Sequence, residues 1–284
     1  MNYYIVIPAH NEEAFLSKTL FSIEQQTLQP KAVVIVNDNS TDNTEKIIDD
    51  FANKNSVFKK LNSISSSEHL PGSKVINAFN KGFELLDHHY DFIVKLDADL
   101  ILPVDYFEKI AAIFKKRPNV GLAGGFVYEK TPSGIWELNH PMNKKHVRGA
   151  FKAYSKKCFI TIGGLKNRMG WDTVDELLVQ FNGFKIETLD SLHVKHLRPT
   201  GKAYNPKAKL LQGEAMYTMD YGFLLTSVAS LKMAIKQNKP IALYHNIKGF
   251  LHARRERLPK IVSKEEGRFI RKLRWKGIKN KLTP

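Results

Sequence analysis

Two aspartates one residue apart close an apolar run at Val94-Lys95-Leu96-Asp97-Ala98-Asp99. In an extended segment residues i and i+2 project to the same side, so both carboxylates can face one ligand. Hard oxygens of this kind suit Mg²⁺ or Mn²⁺, ions that commonly bridge one or two carboxylates to the phosphates of a substrate. The same residues also suit a solvated turn in which an aspartate caps the next helix, and spacing alone does not separate the two. A second acidic turn, Asn37-Asp38-Asn39-Ser40-Thr41-Asp42, follows another apolar run. Asp38 stands where a carboxylate accepts hydrogen bonds from a nucleotide's base or ribose, whereas Ser40 and Asp42 read as helix caps.

Acids at such points need strands to present them. Tyr3 to Ile7, Ala32 to Val36, Ser56 to Leu61 and Phe92 to Leu96 read as short strands, each followed by a polar turn. The stretches between them carry helical apolar stripes: Phe15, Leu16, Leu20 and Ile23; Ile47, Ile48 and Phe51; Val75, Ile76, Phe79, Phe83 and Leu86; Val104, Phe107, Ile110, Ala111 and Phe114. Strands alternating with amphipathic helices predict a parallel sheet covered by helices. In such a sheet ligands bind outside the carboxyl ends of the strands, where these acids lie. Beyond residue 130 the rhythm weakens. Gly121 to Tyr128 and Val147 to Tyr154 read as further strands, and Asp172 to Phe181 as a helix with Val174, Leu177, Leu178 and Phe181 inward. Leu197 to Gly213 reads as a mobile connection into a helical extension.

Composition bounds the possibilities. A chain of 284 residues, 43% hydrophobic and 25% charged, can bury a core. The single cysteine, Cys158, excludes an internal disulfide and a cysteine-rich metal site. The first residues run straight into a strand without the basic region and apolar stretch of a signal peptide. The longest greasy run, Tyr221 to Ile235, includes Lys232 and falls short of the roughly 20 residues a spanning helix needs. The expectation is a cytoplasmic protein. Of the net charge of +16, residues 245–284 supply +10, with thirteen Lys and Arg against three Glu.

Four segments occur in a telling order: Ile5-Val6-Ile7-Pro8-Ala9-His10-Asn11-Glu12; Val36-Asn37-Asp38-Asn39-Ser40-Thr41-Asp42; Gly72-Ser73-Lys74 with Asn77, Asn80 and Gly82; and Leu96-Asp97-Ala98-Asp99. Together they resemble the signature of the family 2 glycosyltransferases of the GT-A fold, over about residues 1 to 200. The resemblance implies an α/β catalytic domain at 1–200, with a Rossmann-like, mostly parallel central sheet flanked by helices. A basic, largely helical C-terminal extension would follow at 201–284. It implies inverting hexosyl transfer from a UDP-, GDP- or dTDP-type nucleotide-sugar to a saccharide or lipid-linked acceptor, dependent on Mn²⁺ or Mg²⁺, in bacterial cell-surface polysaccharide or glycolipid synthesis.

Carried over residue by residue, the resemblance places Pro8, Ala9, Asn11, Glu12 and Asp38 around the nucleoside and Lys74 near the base or diphosphate. Asp97 and Ala98 lie on the donor, Asp97 against the ribose or the metal, and Asp99 ligates the metal, with His196 as a further ligand. Gly170-Trp171-Asp172-Thr173-Val174-Asp175-Glu176-Leu177 resembles the family segment in which an acid pair opens a helix. Val174 stands in place of the first acid, so the match rests on Asp175 as catalytic base, with Asp172 on the same turn as its rival and as a good N-cap. Such a base takes the proton from the attacking hydroxyl. Trp171, favoured over Trp136 and Tyr128 because it adjoins the base, would form an acceptor platform. Arg198 and Lys202 would neutralise the diphosphate.

The basic extension has two readings. Tyr221, Leu224, Leu225, Val228, Leu231 and Ile235 form an apolar stripe, and Phe269, Ile270 and Leu273 alternate with Arg268, Arg271, Lys272 and Arg274. Such helices suit an anionic membrane surface, which would make the protein peripheral on the inner face of the plasma membrane. They also suit an appendage packed on the catalytic domain. Arg271-Lys272-Leu273-Arg274-Trp275 lacks the Gln of the Gln-x-x-Arg-Trp motif of processive synthases and lies about 100 residues after Asp175, which argues against processive synthesis. A nucleotidyltransferase would want a glycine-rich basic loop after the first strand, where Pro8-Ala9-His10-Asn11-Glu12 stands. A nucleic-acid binder would spread basic and aromatic residues over the fold, whereas here the excess sits in the tail, so no nucleic-acid partner is expected.

Overall fold

The computed structural model describes residues 1–65, 72–139, 146–198 and 208–282. The chain groups into two compact units: Met1–His69, Lys74–Leu165 and Asn182–Thr200 in the first, and Leu70–Ser73, Lys166–Phe181 and Gly201–Pro284 in the second.

The first unit is built on strands β1 (Tyr3–Ala9), β2 (Ala32–Asp38), β3 (Phe58–Ser63), β4 (Phe92–Leu96), β5 (Leu100–Ile101), β6 (Val120–Lys130), β7 (Trp136–Leu138), β8 (Phe151–Ser155) and β9 (Lys185–His196). Helices α1 (Leu16–Glu24), α2 (Thr44–Lys54), α3 (Ser73–Glu84), α4 (Tyr106–Lys116) and α5 (Lys156–Thr161) accompany them. Strands β2 and β4 are buried along their whole length and β1 at all but one position, as strands covered on both faces must be. Their Ile and Val side chains suit a pleated, enclosed surface.

Among the described residues the strands form one nine-stranded sheet in the order β3-β2-β1-β4-β8-β6-β9-β5, with β7 paired to β6. The first four run parallel and the remainder is mixed. From β1 the chain steps outward to β2 and β3, then returns to place β4 on the other side of β1. The loops leaving β1 and β4 therefore diverge, and a crevice opens at their carboxyl ends. Gly82 lets α3 settle onto the sheet, since a Cβ there would stand 2.7 Å from Val6 Cγ1 and Val36 Cγ2.

Several local expectations are corrected. Ser40 caps no helix; its Oγ accepts from the Asn11 N–H at 3.1 Å. Asp42 does accept from the first-turn Thr44 N–H at 2.9 Å, and also from Glu13 N–H at 3.1 Å. Val104 is exposed, because α4 begins only at Tyr106. Strand β8 starts at Phe151 rather than Val147. Strand β9 was not anticipated: its register to β6 jumps between Gly124↔Thr188 and Phe126↔His193, and the bulge breaks the alternation that would announce a strand.

The second unit contains α6 (Trp171–Phe181), α7 (Ala208–Thr218), α8 (Phe223–Lys236), α9 (Ile241–Arg255) and α10 (Lys264–Leu282). The connection expected to reach Gly213 is thus already helical from Ala208, and its residues 199–207 lie outside the described ones. Helices α7 and α9 cross at glycines: a Cβ on Gly213 would meet Phe250 N at 2.7 Å, and one on Gly249 the Leu210 carbonyl carbon at 2.9 Å. Asn238, at φ 50°, ends α8, with the Lys239 N–H returning to Ala234 O at 2.9 Å, and Pro240 opens α9. Phe181, expected inside, is 37% exposed, its ring edge resting on Phe269 at 5.5 Å. Among the described residues no helix is long and apolar enough to cross a membrane.

Candidate active site

The crevice at the carboxyl ends of β1, β2 and β4 is a cavity of about 700 Å³. The turn after β1 supplies Pro8, Ala9, His10 and Glu12; the end of β2 supplies Asp38 and Asn39; the turn after β4 supplies Asp97, Ala98 and Asp99. Lys74, Val75 and Ala78 line it from α3, and Arg198 closes the list of charged residues on its wall. Among the described residues singled out for the donor, Asn11 alone is not part of this wall. It is exposed, sits at φ 54°, and its Oδ1 accepts from the Thr41 N–H at 2.8 Å, so it ties the loop after β1 to the loop after β2. Asparagine tolerates this left-handed backbone better than most residues.

The acids of the wall are partnered unequally. Asp99 is buried; its Oδ2 lies 3.2 Å from His196 Nε2 and 3.7 Å from Arg198 Nε, and its Oδ1 has no hydrogen-bond partner. Strand pairing creates that contact, because β9 sets His196 opposite Leu100 of β5. Asp38 likewise is buried with Oδ1 unpartnered, while its carbonyl oxygen lies 2.6 Å from His10 Nδ1, which must therefore be the protonated nitrogen. Asp97, in the turn after β4, pairs with Lys95 of that strand, and Lys95 also donates to Gly149 O at 3.1 Å.

Burial raises the Asp97 carboxyl above its ordinary range, the Lys95 ammonium opposing and the Asp99 charge reinforcing the shift. Burial likewise pushes Glu12 up to about 7, aided by Asp99 and Asp97 and resisted by the Arg198 guanidinium paired to it. For His196 burial disfavours the imidazolium, but the hydrogen bond and charge of Asp99 outweigh it and the net shift is upward.

Among the described residues no three His, Cys, Asp or Glu side chains gather as an all-protein metal cage. The wall instead offers one buried, unpartnered carboxylate oxygen on Asp99, with a second carboxylate two residues away and an imidazole alongside. Such a donor set fits an ion that takes few protein oxygens and completes its shell with substrate phosphates and water.

The profile of the family described as glycosyl transferase family 2 matches residues 4–172, more than half of the chain. The chain belongs to glycosyltransferase family 2. It is similar to the poly-beta-1,6-N-acetyl-D-glucosamine synthase of Staphylococcus epidermidis, at 32% identity over 120 residues, 42% of this chain and 27% of that one. The chain thus spans about a quarter of the length of this curated relative. Among solved structures, S. aureus TarS residues 1–349 in complex with UDP-GlcNAc superposes with a TM-score of 0.56 at 16% identity, over 82% of this chain and 67% of that one. The mannosyltransferase PcManGT from Pyrobaculum calidifontis, in complex with GDP-Man and Mn²⁺, does so with a TM-score of 0.56 at 16% identity, over 99% and 80%. The fold is GT-A, with a helical C-terminal region.

Three residues of this family member beyond the sequence motifs touch the candidate site residues. Lys95, His10 and Glu129 contact the acids or His196 directly, Glu129 Oε1 lying 3.5 Å from His196 Nδ1. Only Lys95 carried a signal, a lysine inside an otherwise apolar strand. Arg198, expected near the diphosphate, pairs with Glu12 and Asp99 and stacks over Phe15 at 5.4 Å. Lys202 lies outside the described residues.

In the second unit, a cavity of about 380 Å³ is lined by Trp171, Asp172, Thr173, Met216, Met219 and Tyr221, among others. Trp171 is buried at 7% exposure and Asp172 stands on the cavity wall. Asp175 is 1% exposed and is absent from that wall; its Oδ1 accepts from the Glu176 N–H at 2.6 Å.

Proposed function

We propose that the enzyme transfers a hexosyl group, with inversion, from a UDP-, GDP- or dTDP-type nucleotide-sugar to a hydroxyl of a saccharide or lipid-linked acceptor, in cell-surface polysaccharide or glycolipid synthesis. The observation that carries this reading is the pair of buried carboxylate oxygens, on Asp38 and Asp99, left without partners in a cavity at the switch point of a parallel sheet. Buried polar atoms normally find partners. Asp38 would accept hydrogen bonds from the nucleoside, and Asp99, with Asp97 and His196 beside it, would hold Mn²⁺ or Mg²⁺. Support for the donor class comes from UDP-GlcNAc on TarS and GDP-Man with Mn²⁺ on PcManGT. The poly-N-acetylglucosamine synthase supports the polysaccharide context.

When bound, the ion supplies positive charge to the departing diphosphate. The chain's own residues do the rest. Pro8, Ala9, Ala78 and Val75 give the cavity apolar walls that exclude water from the base and ribose. Burial raises the Glu12 carboxyl to about 7, which lessens the negative charge it sets beside the incoming diphosphate at mildly acidic pH. Arg198 and Lys74 are the cations in reach of the phosphates, Arg198 exchanging Glu12 and Asp99 for them. The acceptor hydroxyl loses its proton to a carboxylate of α6. The family resemblance favours Asp175, and the place of Asp172 on a cavity beside Trp171 keeps it as the alternative.

A thermal-shift panel of UDP-, GDP- and dTDP-sugars with Mn²⁺ tests the donor claim, since a ligand that binds the native state raises the melting temperature. One nucleotide class should stabilise the wild type in a metal-dependent way and fail to stabilise Asp99→Asn. No stabilisation by any of them sinks the proposal.

A further inference from the structure

Half of the apolar stripe expected on the C-terminal extension lies outside, while Tyr221 and Leu225 are buried and Val228 is half-buried. On α8, Leu224, Leu231 and Ile235 are 67%, 50% and 72% exposed, while Leu225, Thr226, Ser230 and Ala234 face the packed side. Their spacing of seven and four residues puts the three on one helical face. On α9, Ile241, Tyr244 and Leu251 are 58%, 57% and 46% exposed, and Asn246, Gly249, Phe250 and Ala253 form the buried face. Exposed Lys248 belongs to the same outward stripe and stands over the Tyr244 ring at 5.8 Å. Helix α10, the more basic one, is engaged within its own unit: Ile270 is buried, Arg271 pairs with Asp220, and the Arg274 Nε donates to the Tyr221 hydroxyl at 3.0 Å.

Charge separates this hairpin from an ordinary solvated helix pair. Residues 223–255 contain six Lys and Arg and no Asp or Glu. On the α8 wheel Lys232 and Lys236 border the exposed leucine and isoleucine face, and Lys239 sits in the turn to α9. We infer that the outward face of the α8–α9 hairpin docks on an anionic lipid bilayer, its apolar side chains entering the acyl boundary and its lysines meeting the headgroups. Two amphipathic helices with apolar centres and basic borders have the composition that interfacial helices require. A second copy of this chain fits the face poorly, because two acid-free surfaces would meet with like charge. Nucleic acid leaves the aliphatic side chains without a partner.

Flotation of the 284-residue chain with vesicles of pure phosphatidylcholine, and of phosphatidylcholine with a third phosphatidylglycerol, tests this. The chain should float with the anionic vesicles and not with the neutral ones, and release at high salt. Lys236→Gln with Lys248→Gln should weaken binding roughly 30-fold, each lysine near such a surface contributing about 1 kcal/mol. Leu231→Ser with Ile235→Ser should weaken it at least roughly tenfold. Both doubles should keep the wild-type melting temperature, since all four side chains are exposed, whereas Lys272→Gln with Lys276→Gln on α10 should change binding by less than about threefold. Equal flotation on both vesicles, no flotation, or a larger effect from the α10 pair overturns the proposal. So does a concentration-dependent dimer in light scattering that the leucine and isoleucine double abolishes.

Discussion

Asp97 and Asp99 share a motif but face different neighbours. Asp97 is held by Lys95, while Asp99 keeps one buried oxygen unpartnered beside His196. Asp99 is the proposed metal ligand, and replacing a ligand costs at least as much as losing an outer partner, so on that proposal Asp99→Asn should lower Mn²⁺ affinity on the order of 100-fold or more, read by metal titration in the presence of donor. Lys95→Met leaves Asp97 without its cation. The loss should be about 2 kcal/mol by denaturant unfolding, less than the 3–5 of a fully buried pair because the Asp97 side chain is 34% exposed. Glu12 gives a pH dependence of definite sign. Its folded value, about 7, lies above the ordinary 4.5, so the native state binds more protons between those values and the contribution of Glu12 to stability falls as pH rises through that window. In the metal-free protein, the melting temperature of Glu12→Gln should decline less than that of wild type between pH 4.5 and 7.5; parallel curves would contradict the assignment.

Elements decide which of these residues can meet. The loops after β1 and β2 are joined through Asn11, Ser40 and Thr41, contacts between turns about 30 residues apart that no motif describes. The β9 bulge moves His193 to His196 back into register with β6 and so delivers His196 to Asp99. Glycines set the closest approaches. Gly249→Ala should lower stability by about 2 kcal/mol, because the added methyl meets Leu210 backbone rather than a side chain able to move aside. Hydrogen exchange should show the loosening in α7 and α9. The strands and helices of the first 130 residues were legible because burial on both faces, or on one stripe, writes a period of its own into the sequence. Strand β9 was not, because a bulge erases the period.

At the scale of the molecule, the chain divides into a sheet-based unit and a helical one. Hydrogen exchange should accordingly be slowest in β1, β2 and β4, which are enclosed on both faces, and faster in α8 and α9, which leave apolar faces to solvent. A nucleotide-sugar with Mn²⁺ should add protection around Glu12, Asp38 and Asp99; protection confined to the helices would contradict the site. Composition and motif order by themselves determined the family, the alternation of elements and the presence of acids at strand ends, since these are properties of nearby residues. Only the tertiary structure decided partners: Arg198 on Glu12 from 186 positions away, Asn11 in a loop tie, and Leu224, Leu231 and Ile235 of α8 turned outward. Periodicity says that a helix has an apolar face, but whether that face is covered depends on what packs against it.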